Sequence, residues 1–225
     1  MGNMNQAHFV EKNAELVKSP ILEIGSRDYG KPPDFRSIFP GHEYTGVDMQ
    51  DGKGVDIVLD MTDEFEIIDD KMQQKRFKTI FCFSVLEHCH APFKFAQNTT
   101  HLLECGGLLF ISVPFSWEIH DFPADYWRFT PDGIKTLFPE LDFETHPGLL
   151  CTSKEGEFKP LDRLMFRSEL SMSQGLKLKQ YGYFTAAFIY INRKLKLLPA
   201  VFDYPYSFPP VLINMIGKKK TGEKE

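Results

Sequence analysis

Long apolar runs are missing from this chain of 225 residues: the longest nearly uncharged stretch, Gln180 to Asn192, falls well short of the roughly 20 residues that cross a bilayer. Cysteine is scarce. Cys82, Cys89, Cys105 and Cys151 form no CxxC pair, so a disulfide scaffold is excluded and the thiols are expected to be reduced. His88, Cys89 and His90 stand together without a second pair of ligands at zinc-site spacing, and no metal is expected. The polar stretch Met1 to Lys18 lacks the apolar segment of a signal peptide, which leads to the expectation of a cytoplasmic protein. Positive charge is short in the first 160 residues, with 15 Lys and Arg against 26 Asp and Glu, whereas residues 161–225 carry 11 against 5. An acidic body has no clustered cations to neutralise phosphates, so nucleic acid is not an expected partner.

What is present suits a folded soluble protein, with 42% hydrophobic and 25% charged residues. The length fits one domain, or a domain of about 150 residues with an appendage. A polar helix is predicted over Gln6 to Val17. Short apolar runs then alternate with helix-like stretches. Pro20 to Ile24, Glu43 to Val47, Val55 to Leu59, Thr79 to Phe83 and Leu108 to Val113 are predicted strands, bounded by Gly, Pro or Asp. Ala91 to Glu104 has helical spacing and ends on Cys105-Gly106-Gly107, and Thr130-Pro131-Asp132 opens a helix to Leu137. Such alternation predicts an α/β fold with a mostly parallel sheet. Asp142 to Leu150 and Val211 to Ile216 are further strands. The expected organisation is a core of residues 1–150 and 211–217, a helical and aromatic insertion over 151–210 between the last two strands, and a flexible basic tail over 218–225. Within the insertion, Phe158 to Leu170 and Leu176 to Leu198 are predicted helical. The span 176–198 mixes Lys and Arg with aromatics, as a lid or as a helix lying on an anionic membrane.

The first strand closes with Leu22-Glu23-Ile24-Gly25-Ser26-Arg27-Asp28-Tyr29-Gly30, a glycine turn at the sheet edge where open α/β folds bind ligands. Arg27 replaces the second glycine of a dinucleotide fingerprint, and no triphosphate-binding loop is present, so a cofactor without phosphates is expected. The second strand ends on Asp48, placed to accept hydrogen bonds from ribose hydroxyls, and the third on Asp60, placed to accept an exocyclic amine. Either acid alone also fits a plain turn former.

Leu22-Glu23-Ile24-Gly25-Ser26, Gly46-Val47-Asp48, Ser84-Val85-Leu86-Glu87-His88 and Glu104-Cys105-Gly106-Gly107-Leu108-Leu109 resemble the successive motifs of class I S-adenosylmethionine-dependent methyltransferases of the type 11 kind, over about Pro20 to Phe138. The resemblance implies a Rossmann-like sheet of seven strands, order 3-2-1-4-5-7-6, with helices on both faces. It implies that S-adenosylmethionine is held by Glu23, Gly25, Ser26 and Arg27 at the methionine end, Asp48 and Met49 at the ribose, Asp60 and Met61 at the adenine, and Ser84 opposite. Arg27 departs from the family's turn, which keeps open a binding module that has lost turnover.

The stretch Ser112 to Pro131 is rich in aromatics, which would exclude water from a reacting centre, and it carries His120, Asp121 and Asp125. His120 and Asp121 are the expected catalytic pair. His88, Asp125, Tyr126, Trp127 and Arg128 are expected to bind substrate. The fourth strand lacks the Asn/Asp-Pro-Pro-aromatic signature of enzymes that methylate adenine or glutamine amino groups. The expected reaction is therefore methyl transfer to a hydroxyl of a small molecule or saccharide, with nitrogen or carbon acceptors as alternatives. A nicotinamide oxidoreductase fails on the glycine pattern.

Overall fold

The computed structural model describes residues 4–30, 34–120, 124–152, 156–161, 168–169, 191, 194–195, 206–207 and 211–221. Its elements run α1 (Met4–Lys12), β1 (Ile21–Ile24), α2 (Phe35–Ile38), β2 (Tyr44–Asp48), β3 (Ile57–Val58), α3 (Phe65–Lys71), β4 (Phe77–Phe83), α4 (Pro92–Leu102), β5 (Leu103–Ser116), α5 (Pro131–Leu137), β6 (Leu141–Asp142), β7 (Leu149–Thr152), β8 (Phe158–Pro160), β9 (Ser168–Glu169), β10 (Tyr206–Ser207) and β11 (Val211–Lys219). By compactness the chain divides into a unit of Met1–Leu161 with Pro210–Glu225, and a unit of Asp162–Pro209 that contains the antiparallel pair β9–β10.

The large unit is built on one sheet. Strands β1, β2, β3, β4 and β5 pair in parallel in the order β3-β2-β1-β4-β5. Burial of every residue of β4 except Lys78 explains its nearly uninterrupted apolar sequence, as expected where helices cover both faces. β11 runs antiparallel beside β5, and β7 and β8 continue antiparallel beyond it. The expected seven strands in the order 3-2-1-4-5-7-6 are thus corrected to nine, ordered β3-β2-β1-β4-β5-β11-β7-β8, with β6 paired on β11.

Several local expectations change as well. The predicted strand Asp142 to Leu150 is two strands, because Asp142 caps a turn: Oδ1 accepts from Glu144 N at 2.8 Å and Oδ2 from Thr145 Oγ1 at 2.5 Å. His146-Pro147-Gly148 completes the break. Phe158 to Pro160 is strand where a helix was predicted, paired on β7. Lys218 and Lys219 belong to β11 rather than to a flexible tail, with Lys219 Nζ donating to the carbonyls of Thr100 and Leu103 at 2.7 and 2.8 Å. The Thr100 carbonyl also accepts from Leu103 N, so Lys219 adds a second donor at the C-terminal end of α4. Ile191 and Lys194–Leu195 are helical; the rest of Leu176 to Leu198 lies outside the described residues. Among the described residues no helix is long and apolar enough to cross a membrane.

The core is aromatic. Phe81 of β4 packs against Phe83 at 5.5 Å, Phe110 of β5 at 5.4 Å and Phe39 at 5.9 Å between ring centroids. Phe35 joins Phe83 at 4.8 Å, and Phe9 of α1 joins Phe110 at 6.0 Å. One cluster therefore ties α1 and α2 to the middle of the sheet. Truncating Phe110, which is fully buried, removes contacts on two sides. Phe110→Ala is expected to lower stability by about 3–5 kcal/mol in urea unfolding, and a loss below about 1 kcal/mol would show that this cluster is not the core.

Candidate active site

The carboxyl ends of the parallel strands lie along one edge of the sheet, with the direction of strand order changing between β1 and β4. β1 runs into Gly25, whose φ is +81° and whose missing Cβ would stand 2.3 Å from Val85 Cγ2. Only glycine allows the exit of β1 to lie against that of β4. The N–H groups of Gly25 and Ser26 donate to the Val47 carbonyl at 2.8 and 3.1 Å, holding the turn over β2. Ser26 is buried against Gly46, and its hydroxyl has no hydrogen-bond partner among the described residues. Arg27 is bound into the loop after β2: its guanidinium donates to Gln50, lies 5.1 Å over the Tyr29 ring centroid, and its chain fills the space over Gly52.

The acidic tips of β2 and β3 each spend one carboxylate oxygen on their own turn and leave the other without a partner among the described residues. Asp48 caps its own turn with Oδ1, which accepts from Gln50 N at 2.9 Å, and Oδ2 is left without a partner among the described residues. Met49 beside it is 60% exposed, an apolar side chain on a polar rim. Asp60 Oδ1 accepts from the backbone N and the hydroxyl of Thr62, at 2.8 and 2.7 Å, which makes it a turn former. Met61 is buried, and its carbonyl accepts from Asn98 of α4 at 2.8 Å. Glu23 is turned to Tyr44, whose hydroxyl donates to Oε2 at 2.7 Å. Burial raises its pKa from 4.5 to about 7, against the opposing pull of that bond and of Arg36.

At the exit of β4, Ser84 adopts φ +52°, a left-handed conformation that costs a non-glycine residue on the order of 1–3 kcal/mol and tends to mark sites where the backbone is aimed at a ligand. Its N–H donates to Ser112 O at 2.9 Å, and its hydroxyl accepts from Gln6 Nε2 at 2.8 Å. Gln6 also reaches Ser112 Oγ at 3.1 Å and is fully buried. It thus brings α1 to the site, a role the sequence does not signal because its partners lie 78 and 106 positions away.

Beyond Ser84 the chain turns through Leu86–His88 and meets the aromatic loop after β5. The Glu87 carbonyl accepts from Tyr126 N at 2.8 Å, and Trp127 Nε1 donates to Cys89 O at 2.8 Å. His88 Nδ1 is 2.6 Å from Ala124 O, so that nitrogen must carry the proton it donates and Nε2 keeps its lone pair. Asp125 forms a two-pronged ion pair with Arg128, which also donates to the carbonyls of Trp127 and Glu118 at 2.8 and 2.9 Å. The Arg128 guanidinium holds the Asp125 carboxyl well below the usual carboxylate range. Asp125 Oδ2 also accepts from His120 N at 3.0 Å and lies 3.2 Å from His120 Nδ1. The carboxylate found beside His120 is therefore Asp125; Asp121 lies outside the described residues. Tyr126 and Trp127 are 55% and 41% exposed and present ring surface at the edge. Glu87 is the functional candidate that the sequence reading passed over: its side chain is 1% exposed, with Oε2 unpartnered, and its pKa is pushed up to about 7 by burial. The Glu-His dipeptide was the only sequence signal for it.

No family model matches the chain, and no curated protein matches its sequence. Solved structures do. A SAM-dependent methyltransferase from Archaeoglobus fulgidus has a TM-score of 0.54 at 13% identity, covering 97% of this chain and 95% of that one. A Bacillus halodurans protein described as a candidate methyltransferase scores 0.55 at 14% identity, covering 97% and 100%. A SAM-dependent methyltransferase from Anabaena variabilis scores 0.53 at 12% identity, covering 95% and 83%. At these identities the likeness establishes the shared fold.

The Glu23–Tyr44 pair makes a pH prediction. Because the folded-state pKa of Glu23 is raised, the folded protein retains a proton that the unfolded chain has lost between 4.5 and about 7. Stability contributed by this group therefore falls as pH rises through that window, with a limiting slope of about 1.4 kcal/mol per pH unit. Glu23→Gln removes the slope. Urea unfolding should show the variant gaining on the wild type from about pH 5 to about pH 7, and a constant difference would contradict the assignment.

Proposed function

We propose that the chain is an S-adenosylmethionine-dependent methyltransferase that transfers methyl to a hydroxyl of a small molecule or saccharide. The observation that carries the reading is the free Oδ2 of Asp48 at the exit of β2, beside the exposed Met49 and next to the side-chain-free turn at Gly25. A carboxylate with one oxygen fixed and one open suits ribose hydroxyls, and an apolar chain beside it suits a purine face. The fold shared with SAM-dependent methyltransferases supports the same reading. Glu23, Gly25, Ser26, Arg27, Asp60, Met61 and Ser84 complete the proposed cofactor site, with an Asp60 oxygen open as at Asp48, and with Glu23 and Arg27 bordering it from their pairs with Tyr44 and Gln50.

When bound, S-adenosylmethionine would supply an electrophilic methyl on a sulfonium sulfur. The chain's own part is to hold the acceptor, exclude water and take the hydroxyl proton. Tyr126 and Trp127 offer ring surface for the acceptor, as aromatic faces do for the apolar faces of sugars. His120 stands at the rim with a carboxylate at its Nδ1, an arrangement that orients an imidazole and stabilises its charged form once a proton has been taken. Arg128 and the carbonyls it binds hold that carboxylate in place, so Asp125 acts through His120 rather than on the acceptor.

A second reading, a module that binds the cofactor without turning over, is favoured by Arg27 at the family's second glycine, where its guanidinium is committed to Gln50 and Tyr29. One measurement tests the cofactor site that both readings share, and turnover separates them. Calorimetric titration with S-adenosylmethionine and S-adenosylhomocysteine should show binding that Asp48→Ala weakens about tenfold to a hundredfold, the loss of one or two charge-assisted hydrogen bonds. Unchanged affinity in Asp48→Ala would remove the proposed site. His120→Ala should keep cofactor affinity and lower the single-turnover rate with hydroxylated acceptors by about 10²–10⁴; an unaltered rate would overturn the role of His120.

A further inference from the structure

We propose that Glu87, His88 and His120 form a binding site for a divalent first-row metal ion of the zinc or manganese kind, open toward the acceptor. The carboxylate and one ring nitrogen from each histidine all lie within 4.8 Å of one another. Ligands held about 2.1 Å from one ion stand roughly 3–4 Å apart, so the cluster closes on an ion with side-chain shifts below about 1 Å. Two imidazoles and a carboxylate are a ligand set of catalytic zinc and related ions, and three protein ligands leave positions for an oxygen of the acceptor or water.

Three independent features point to an ion rather than a chance grouping. The Glu87 side chain is 1% exposed, and its carboxylate is met by its own backbone N–H, yet Oε2 has no partner among the described residues, and Oε1 is 4.0 Å from His88 Nε2, too far for a hydrogen bond. A buried carboxylate left in that state is costly, and a cation between it and the imidazole removes the cost. His88 gives its Nδ1 proton to the Ala124 carbonyl, which leaves the Nε2 lone pair as the ligand. His120 has Asp125 Oδ2 and the Glu118 carbonyl each 3.2 Å from Nδ1. Donation from one ring nitrogen to a carboxylate or carbonyl is how metal-bound histidines are oriented and made better donors. The two rings meet edge to face, 87° apart with centroids at 4.9 Å, as two ligands approaching one centre from different sides would.

The elements that carry the ligands are locked together. Tyr126 N and Trp127 N donate to the Glu87 carbonyl at 2.8 and 3.3 Å, and Arg128 anchors the strand of chain leading to His120 through the Glu118 carbonyl. His120 is the outermost ligand, its side chain 37% exposed, and it marks the open side. An ion there would draw a substrate hydroxyl to itself and favour its loss of a proton to solvent. His120 would then act on the hydroxyl through the ion and not as the proton acceptor. This catalytic role rests on the methyltransferase reading, whereas the site itself does not. The ligands come as neighbours 87 and 88 with a third 32 positions on, so a search for two spaced pairs does not find them.

The test uses the full chain, stripped with a chelator and titrated with Co²⁺ by visible absorption and with Zn²⁺ by calorimetry. One equivalent of either ion is expected, with affinity reduced at least a hundredfold in Glu87→Gln and in His120→Ala. Binding below one equivalent, or variants that bind as the wild type does, would overturn the site. Should Glu87→Gln fail to fold by circular dichroism, His120→Ala, at a rim position, carries the test alone. Cofactor titration of the same samples keeps the two readings apart. Metal binding without cofactor binding would remove the methyltransferase reading and leave the metal site standing; cofactor binding without metal binding would do the reverse.

Discussion

The arrangement of the site depends on one close approach, that of Gly25 to Val85. A Cβ at position 25 would stand only 2.3 Å from Val85 Cγ2 and its residue would have to adopt φ +81°, so any other residue must displace the Val85 side chain and strain the turn. The exits of β1 and β4 flank the point where strand order reverses, and the opening there exists because the connections leave in opposite directions. Holding it narrow has two consequences. The backbone N–H groups of Gly25 and Ser26 are pinned on Val47, which fixes the loop leading to Arg27 over the end of β2. On the other side Ser84 stands in a left-handed conformation, from which the chain turns at once into Glu87 and His88. A strained serine in that position is sustained by its bonds to Ser112 and Gln6, so α1 and β5 both bear on the geometry.

The rim is organised by a second device, the Asp125–Arg128 pair. Arg128 gathers Asp125 and the carbonyls of Trp117, Glu118 and Trp127, which would otherwise be spread over eleven positions of loop. Charge-assisted bonds of this kind are strong when both partners are shielded, and the Asp125 side chain is 2% exposed. The described parts of the aromatic loop on either side of 121–123 are therefore tied to one another by their own polar residues, while Tyr126 and Trp127 remain exposed. Groups tied together in this way lose less freedom on binding a ligand.

Much of this was legible in the amino-acid sequence, for a physical reason. Parallel strands buried on both faces must be apolar runs ended by turn formers, so β1, β2, β4 and the helices after Ala91 and Thr130 are visible as patterns. Strand-tip residues such as Gly25, Asp48 and Ser84 follow from where those runs stop. What the pattern does not carry is side-chain direction and distant pairing. Asp48 and Asp60 look alike in sequence, and only the folded loops show that one oxygen of Asp48 takes the Gln50 N–H while one oxygen of Asp60 takes both the N–H and the hydroxyl of Thr62. Asp142 reads as part of a strand until its two oxygens are seen capping a turn. Asp125 and Arg128 read as groups facing a substrate, and their pairing to one another appears only when the loop folds back.

The two buried glutamates illustrate why pairing, more than burial, separates structure from function. Glu23 lies near the end of β1 and Glu87 in the turn that follows β4, and burial acts on both in the same direction. Glu23 is answered from within the fold: Tyr44 donates to it, and Arg36, over the Tyr44 ring at 5.0 Å, supplies the nearest positive charge. Its environment is complete, and its cost is that of an ordinary buried acid with one good bond. Glu87 is answered less fully, by its own backbone N–H and the charge of Arg128, with Oε2 unpartnered among the described residues. Its carbonyl is occupied by the loop, but its carboxylate faces two histidines whose other nitrogens are already committed to Ala124 and to the Asp125–Glu118 corner. A fold that satisfies one buried carboxylate so fully leaves its counterpart facing two imidazoles with one oxygen unpartnered among the described residues, and that contrast is the ground on which a cation is proposed between them.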